Sequence, residues 1–127
     1  MSSDILLYLA AALLVLVSVA HSWLGEKYIL TRLFRRDNLP KLFGGTEFTI
    51  RTLRFAWHLT SVAWCGFAAV LVSLVHANDP VQAVGVVSGV VFIIHFLVAL
   101  IGSKGKHLSW IVFLLIGVFS LVAVTGN

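Results

Sequence analysis

The chain has 127 residues, of which 60% are hydrophobic and 11% are charged, about half the charged share of a soluble domain. This composition excludes an ordinary soluble domain and indicates a single integral membrane domain over residues 1–127. The formal net charge of +4 does not indicate nucleic-acid binding, because the basic residues flank apolar runs of membrane-spanning length. There they set topology and meet the anionic headgroups of the lipid bilayer.

The first predicted element is a nearly unbroken apolar run over residues 5–23. At about 1.5 Å per residue it is long enough to cross a hydrocarbon core of about 30 Å. Residues 18–20 (Ser-Val-Ala) resemble a signal-peptide cleavage site, but no positive charge precedes the run and the basic cluster follows it. We therefore expect a retained first span.

Residues 25–48 form a basic segment in which cationic and apolar side chains alternate. The apolar positions within 29–34 fall on one helical face, and three arginines between positions 32 and 36 lie opposite or beside it. This pattern predicts a short amphipathic helix in the membrane interface. Asn-Leu-Pro at 38–40 would end that helix, and Thr46 is placed to be the N-cap of the next.

Three further apolar runs predict three more spans, over residues 53–75, 81–101 and 108–124. Between the second and third spans, Asp79 and Pro80 provide an N-cap and a proline at the first helical position. We therefore expect an all-α integral membrane protein with four transmembrane helices in an up-down antiparallel bundle.

The charge distribution predicts the orientation of the spans. Seven of the nine Lys and Arg lie between the first span and the first residues of the second, and Lys104 and Lys106 lie between the third and fourth. The opposite side carries Asp4 and Asp79 but no Lys or Arg. Because cytoplasmic loops carry the excess of positive charge, we expect an inner (cytoplasmic) membrane protein with both basic loops inside and both termini on the other side.

Glu26 and Glu47 are the acidic residues placed to pair with Arg51 or Arg54. Such pairing would hold the first basic loop against the second span. We expect it to have a structural role.

Histidines are concentrated near the predicted cytoplasmic ends of the spans. His21, His58 and His95 lie on three different helices, about 6 to 10 Å inside the boundary, and His107 opens the fourth. Small or hydroxyl-bearing residues share a helical face with each of the first three, as Ser61 does with His58, which is typical of helix–helix contacts. A single membrane histidine is often a core residue bonded to a serine or a carbonyl, whereas four-helix bundles build metal and cofactor sites from facing side chains.

Because these histidines lie at similar depth in the membrane, we predict a site near the cytoplasmic face for b-type haem or a transition metal ion. Haem iron accepts axial imidazoles, so His58 and His95 are candidate cofactor ligands. Arg51 and Arg54 are then placed for the propionates, and Trp57 for one face of the macrocycle. For zinc, copper or iron, the candidate metal ligands are His21, His58, His95 and His107.

We expect such a site to serve electron transfer, quinone-linked redox chemistry or metal handling. A hydrolase or kinase is not expected, because the sequence shows no phosphate-binding glycine loop, no triad of nucleophile and base, and no paired carboxylates within the spans. Two alternatives stay open. One is an oligomeric small transporter or channel, with histidines as proton relays and Gly85 and Gly89 as the contact between copies. The other is a non-catalytic accessory or assembly subunit that docks on a membrane partner.

Overall fold

A computed structural model of the chain describes residues 2–126. Over these residues the protein is helical and contains no β-strand. The helices are α1 (Ser3–Leu33), α2 (Glu47–His76), α3 (Pro80–Ser103) and α4 (Ser109–Thr125). Helix α1 changes to π-helical geometry over Gly25–Leu30 and returns to α geometry for its last turn.

Three of the helices, α1, α2 and α3, are long and apolar enough to cross a membrane. Helix α4 is also apolar but has 17 residues, at the lower limit of about 17–25 residues for a span. Large apolar side chains such as Leu13, Leu16 and Val19 are exposed on α1, where an aqueous solvent would disfavour them and lipid would not. These features agree with the predicted membrane protein.

The helices pack in chain order as an open row. Helix α1 contacts α2, α2 contacts α3, and α3 contacts α4, whereas within residues 2–126 no Cα atom of α1 lies within 8 Å of one in α4. Tyr8, near the start of α1, bonds His76 at the end of α2, and His21, further along α1, contacts Trp57. Because α1 and α4 do not close the row, one face of α2 stays open between α1 and α3.

Glycines bring α3 and α4 together. A Cβ atom on Gly89 would lie 2.5 Å from Leu121 Cγ and 3.2 Å from the Gly117 carbonyl oxygen, and a Cβ on Gly85 would overlap Val124. The close helix approach that such small residues permit is therefore present, and it occurs inside the chain. This packing removes the reason to assign them to a contact between copies.

Asp79 caps α3 as predicted. Its carboxylate accepts hydrogen bonds from the backbone N–H groups of Val81 and Gln82 at 2.9 and 3.1 Å, and Pro80 is the first helical residue. The predicted cap at the start of α2 is not formed, because the Thr46 side chain makes no capping hydrogen bond.

The separate amphipathic helix predicted within residues 25–48 is wrong. Residues 25–33 continue α1, and residues 34–46 form turns with one isolated bridge. Leu30 is only 2% exposed, so this part of α1 packs against the protein instead of lying free in the interface. Helix α1 thus carries polar residues past its apolar run and alongside α2.

Candidate functional site

His58 lies at the contact between α1 and α2 with both ring nitrogens engaged. Its Nδ1 atom is 2.9 Å from Ser22 Oγ and its Nε2 atom is 3.3 Å from Glu26 Oε2. The Ser22 hydroxyl also donates to the Oγ atom of Ser61, which is buried, at 2.8 Å, and can turn its proton to His58 instead. The predicted inward direction of His58, on the face that it shares with Ser61, is therefore confirmed.

Glu26 joins the imidazole to an arginine. Its Oε1 atom is 3.0 Å from Arg54 Nη2 while Oε2 faces His58, so the predicted pairing of an acid with one of these arginines is confirmed. A hydrogen bond between two charged groups is stronger than a neutral one and orients both. The π-helical stretch of α1 begins one residue before Glu26, and such local widening of a helix is frequent at functional sites.

The two partners of His58 favour one tautomer. A carboxylate only accepts hydrogen bonds, so the ring proton belongs on Nε2, facing Glu26. Nδ1 then presents its lone pair to the Ser22 hydroxyl. Carboxylate, imidazole and hydroxyl are thus connected in series, an arrangement of base and nucleophile that was not expected from the sequence.

A signal for this arrangement is present in the sequence. Ser22 and Glu26 are four residues apart on α1, and Arg54, His58 and Ser61 follow spacings of four and three on α2, so each set lies along one helical face. The sequence does not say that these two faces meet.

His21 lies on the other side of the α1–α2 contact. Its ring stacks on Trp57 with centroids 4.5 Å apart and planes 4° from parallel, and Trp64 approaches it edge-on at 4.9 Å. Trp57 Nε1 also donates to the His21 carbonyl oxygen at 3.1 Å. His21 Nε2 is buried and has no hydrogen-bond partner in the described part of the chain. Trp57, predicted to cover a macrocycle, covers His21 instead.

His95 is buried, at 7% exposure, and turned toward α4. Its Nδ1 atom bonds the Val91 carbonyl oxygen at 2.8 Å, and its ring contacts Phe92 and Phe113 at centroid distances of 5.4 and 5.5 Å. These contacts are those of a core histidine.

His107 lies between α3 and α4, against two aromatic rings of α2. Its Nδ1 atom is 2.8 Å from Ser109 Oγ, and its ring contacts Phe48 and Phe55. Among residues 2–126, no group of three or more His, Cys, Asp and Glu side chains is arranged to hold a metal ion. The four predicted ligands are therefore not brought together.

A charged cavity opens above His58, between α2 and α3. It has a volume of about 700 Å³ and is lined by His58, Arg51, Arg54 and Glu47 together with apolar side chains of α3. Arg51 pairs with Glu47 at 2.9 Å and donates to the Gly102 carbonyl oxygen at 3.4 Å. Arginine therefore lines this cavity at two levels, one helical turn apart.

An apolar groove lies on the other side of His58. It has a volume of about 630 Å³ and runs over α2 between α1 and α3. Its lining is overwhelmingly hydrophobic, with a few hydroxyl- or sulfur-bearing side chains besides His58. Those side chains are Ser18, Ser22, Ser61 and Cys65. Among residues 2–126, His58 alone lines both this groove and the charged cavity.

His95 lines neither of these two cavities. A haem bound by two histidines would need both imidazoles to face one slot, and His58 and His95 do not share one in this arrangement. Comparison with protein-family models, with curated proteins and with solved structures finds no match for this chain.

Proposed function

We propose that this chain is a four-span inner-membrane protein that binds a membrane amphiphile, with the polar head of the ligand at His58 and its apolar tail in the groove. The observation that carries the proposal is the position of His58 between the charged cavity and the apolar groove. Ligand sites are commonly mostly apolar cavities of roughly 300–1,000 Å³ with a few placed polar groups. Both volumes fall in that range.

The proposed topology has both basic loops in the cytoplasm and both termini on the opposite side. The segregation of Lys and Arg supports it, because an odd number of spans would put the two basic loops on different sides. In this topology Arg51 and Arg54 lie at the level of the lipid headgroups, and His58 lies just below them. The basic residues of the first loop then attract anionic lipid to the entrance.

The open row of helices gives the ligand its route. Because α1 and α4 do not meet, the groove over α2 opens sideways toward the bilayer, and a lipid tail can enter without passing through water. Arg51 and Arg54 offer N–H donors at the polar end. These features favour a ligand with a hydrogen-bond-accepting or anionic head and a long apolar chain.

Haem or metal binding and oligomeric transport stay predictions with less support. The histidines form no three-ligand cluster in the described residues. Gly85 and Gly89 already pack against α4, so they are not exposed for a contact between copies. An absorption spectrum with a Soret band, or stoichiometric metal in the purified protein, would favour the haem or metal site over the amphiphile.

The test is crosslinking of the full-length protein in nanodiscs to phosphatidylglycerol that carries a diazirine on one acyl chain. Cys65 lines the groove, so Cys65→Trp fills it with an indole. Leu13 is 66% exposed on α1 and is the matched site for the control variant Leu13→Trp.

We expect wild type and Leu13→Trp to crosslink at residues of the groove and Cys65→Trp to lose at least nine tenths of this product. Equal crosslinking of Cys65→Trp and wild type, or crosslinks spread evenly over the outer faces of α1 and α3, would contradict the proposal.

A further inference from the structure

We propose that Ser22 and His58 are the nucleophile and general base of a site that cleaves an ester bond of a membrane lipid, with Glu26 as the positioning residue. This inference rests on the amphiphile site proposed above and names the reaction at its polar end. The chemical class of substrate is an acyl ester with an anionic head, such as an anionic glycerolipid.

The distances suit proton transfer. Ser22 Oγ and His58 Nδ1 are 2.9 Å apart, within the range of about 2.6–3.2 Å for a nucleophile and its base. The 3.3 Å between His58 Nε2 and Glu26 Oε2 is slightly longer, as is common before substrate binds. The ring nitrogens are interchanged relative to the familiar serine triad, but the triad is defined by geometry and roles.

The contacts of Glu26 with Arg54 and His58 hold His58 in the tautomer that can act as a base. Arg54 Nη2 lies 3.0 Å from one carboxylate oxygen, which orients the other toward His58. The carboxylate fixes the Nε2–H tautomer and stabilises the imidazolium that forms when Nδ1 takes a proton. Arg54 and Glu26 thereby act on Ser22 through His58.

The groove distinguishes this set from an ordinary interhelical hydrogen-bond network. A network that only satisfied polar side chains would be closed off by the packing of α1 on α2. Ser22, His58 and Ser61 instead all line the apolar groove, so a lipid lying there would touch the nucleophile. The His58 side chain is also 32% exposed, which leaves the base accessible.

The arginines set the level of the scissile bond. Arg54 lies four residues before His58 on α2, which is about 6 Å along the helix axis. In a glycerolipid the ester group lies just below the charged head. A phosphate held between Arg51 and Arg54 therefore brings the ester carbonyl to the level of Ser22.

The first step forms an acyl-serine. Ser22 Oγ attacks the ester carbonyl carbon and its proton passes to His58 Nδ1. The bond between the carbonyl carbon and the alkoxy oxygen then breaks, and the leaving alcohol takes that proton. Ser61 accepts from the Ser22 hydroxyl at 2.8 Å. When Ser22 turns its proton to His58, the Ser61 hydroxyl is released to donate to the negative charge that develops on the carbonyl oxygen.

Water from the cytoplasmic interface completes the reaction. His58 takes a proton from the water, whose oxygen attacks the acyl-serine, and Ser22 leaves with that proton restored. The products are a carboxylic acid and an alcohol, and no oxidant or reductant is needed.

The test uses the full-length protein in phosphatidylglycerol nanodiscs, labelled with a fluorescent alkyl fluorophosphonate and assayed for fatty-acid release. We expect wild type to be labelled at Ser22 and Ser22→Ala to lose label and hydrolysis by roughly a thousandfold or more. His58→Gln keeps a polar side chain but no base, and should lose both to the same extent. Ser73→Ala is the matched control, because Ser73 bonds only its own helix at Val70.

Glu26 is tested by its kinetics. We expect Glu26→Gln to lower kcat on the order of a thousandfold or more while KM stays within about twofold, and to change the pH profile of kcat. A loss explained by misfolding would instead lower lipid crosslinking in parallel.

The outcomes separate the two proposals. Wild type that crosslinks the diazirine lipid in the groove but is neither labelled nor hydrolytic overturns the ester-cleaving site and leaves the amphiphile site standing. Fluorophosphonate label that persists in Ser22→Ala or in His58→Gln also overturns the ester-cleaving site. If wild type shows no lipid crosslinks at residues of the groove, the proposed amphiphile site is itself overturned.

Discussion

Trp57 and His21 stack face to face, 4.5 Å between ring centroids, and the Trp57 indole N–H also donates to the His21 carbonyl oxygen at 3.1 Å. Each residue immediately precedes a member of the polar site, because Ser22 follows His21 and His58 follows Trp57. The stack on one side of the α1–α2 contact therefore sets the separation of Ser22 and His58 on the other. The packing of the two helices and the geometry of the site are therefore linked through these four residues.

The first prediction concerns the stability that this stack provides. We expect Trp57→Ala to lower the free energy of unfolding by about 3 kcal/mol, because a large packed ring is removed. Trp57→Phe keeps a ring but loses the hydrogen bond, so it should cost about 1 kcal/mol. Thermal midpoints measured in one detergent show whether stability falls from wild type to Trp57→Phe to Trp57→Ala. Trp23, which is 61% exposed, provides the control variant Trp23→Ala, and a midpoint for Trp57→Ala as high as that of Trp23→Ala would contradict the prediction.

The second prediction concerns the α3–α4 contact. Gly89→Ala puts a methyl group against Leu121 and the backbone at Gly117, and overpacking of this kind costs about 1–3 kcal/mol. Gly45→Ala is the control, since no atom lies within 4 Å of a Cβ there. The thermal midpoint and the particle size in detergent together distinguish a Gly89 that packs on α4 from a Gly89 that joins two copies of the chain. Unchanged stability together with loss of an oligomer would place Gly89 between copies instead.

Local features of the chain were predictable from the sequence. The long apolar helices follow from composition, the Asp79 cap follows from a carboxylate directly before Pro80, and the inward side of His58 follows from its spacing to Ser61. Each depends on residues within one or two helical turns, so the helical period is enough to find it.

The site itself depends on how helices are rotated about their axes. His21, His58 and His95 were expected to meet because they lie at similar depth, but depth does not fix direction. His21 faces Trp57, while His95 is turned toward Phe113 on α4. The link from Ser22 through His58 to Glu26 also needs α1 to continue past its apolar run, whereas the amphipathic pattern within residues 25–48 predicted a separate helix there.

The third prediction uses the two helix starts as a matched pair. Asp79→Ala removes two hydrogen bonds to the first turn of α3, and loss of such a cap costs about 1 kcal/mol. Thr46→Ala should leave the thermal midpoint unchanged, because Thr46 makes no capping bond. If the two variants shift the midpoint equally, the cap at Asp79 does not contribute as the structure indicates.

The fourth prediction decides whether α4 crosses the membrane. Its 17 residues extend about 26 Å at 1.5 Å per residue, slightly less than a hydrocarbon core of about 30 Å. The flanks still favour a crossing, because Lys104 and Lys106 precede α4 and no Lys or Arg follows it. In a Cys65→Ala background, single cysteines can be introduced as Asp37→Cys, Asn78→Cys, Lys106→Cys and Thr125→Cys.

A membrane-impermeant maleimide applied to intact spheroplasts should label the variants at Asn78 and Thr125, and should label those at Asp37 and Lys106 only after lysis. Thr125 is the informative position, because a chain with three spans would protect it together with Lys106. The Asn78 and Asp37 variants report the two sides of the membrane in either case and so serve as internal controls. Labelling of the Thr125 variant only after lysis would contradict a fourth span. The positive charge before α4 would then anchor a helix that lies along the cytoplasmic surface.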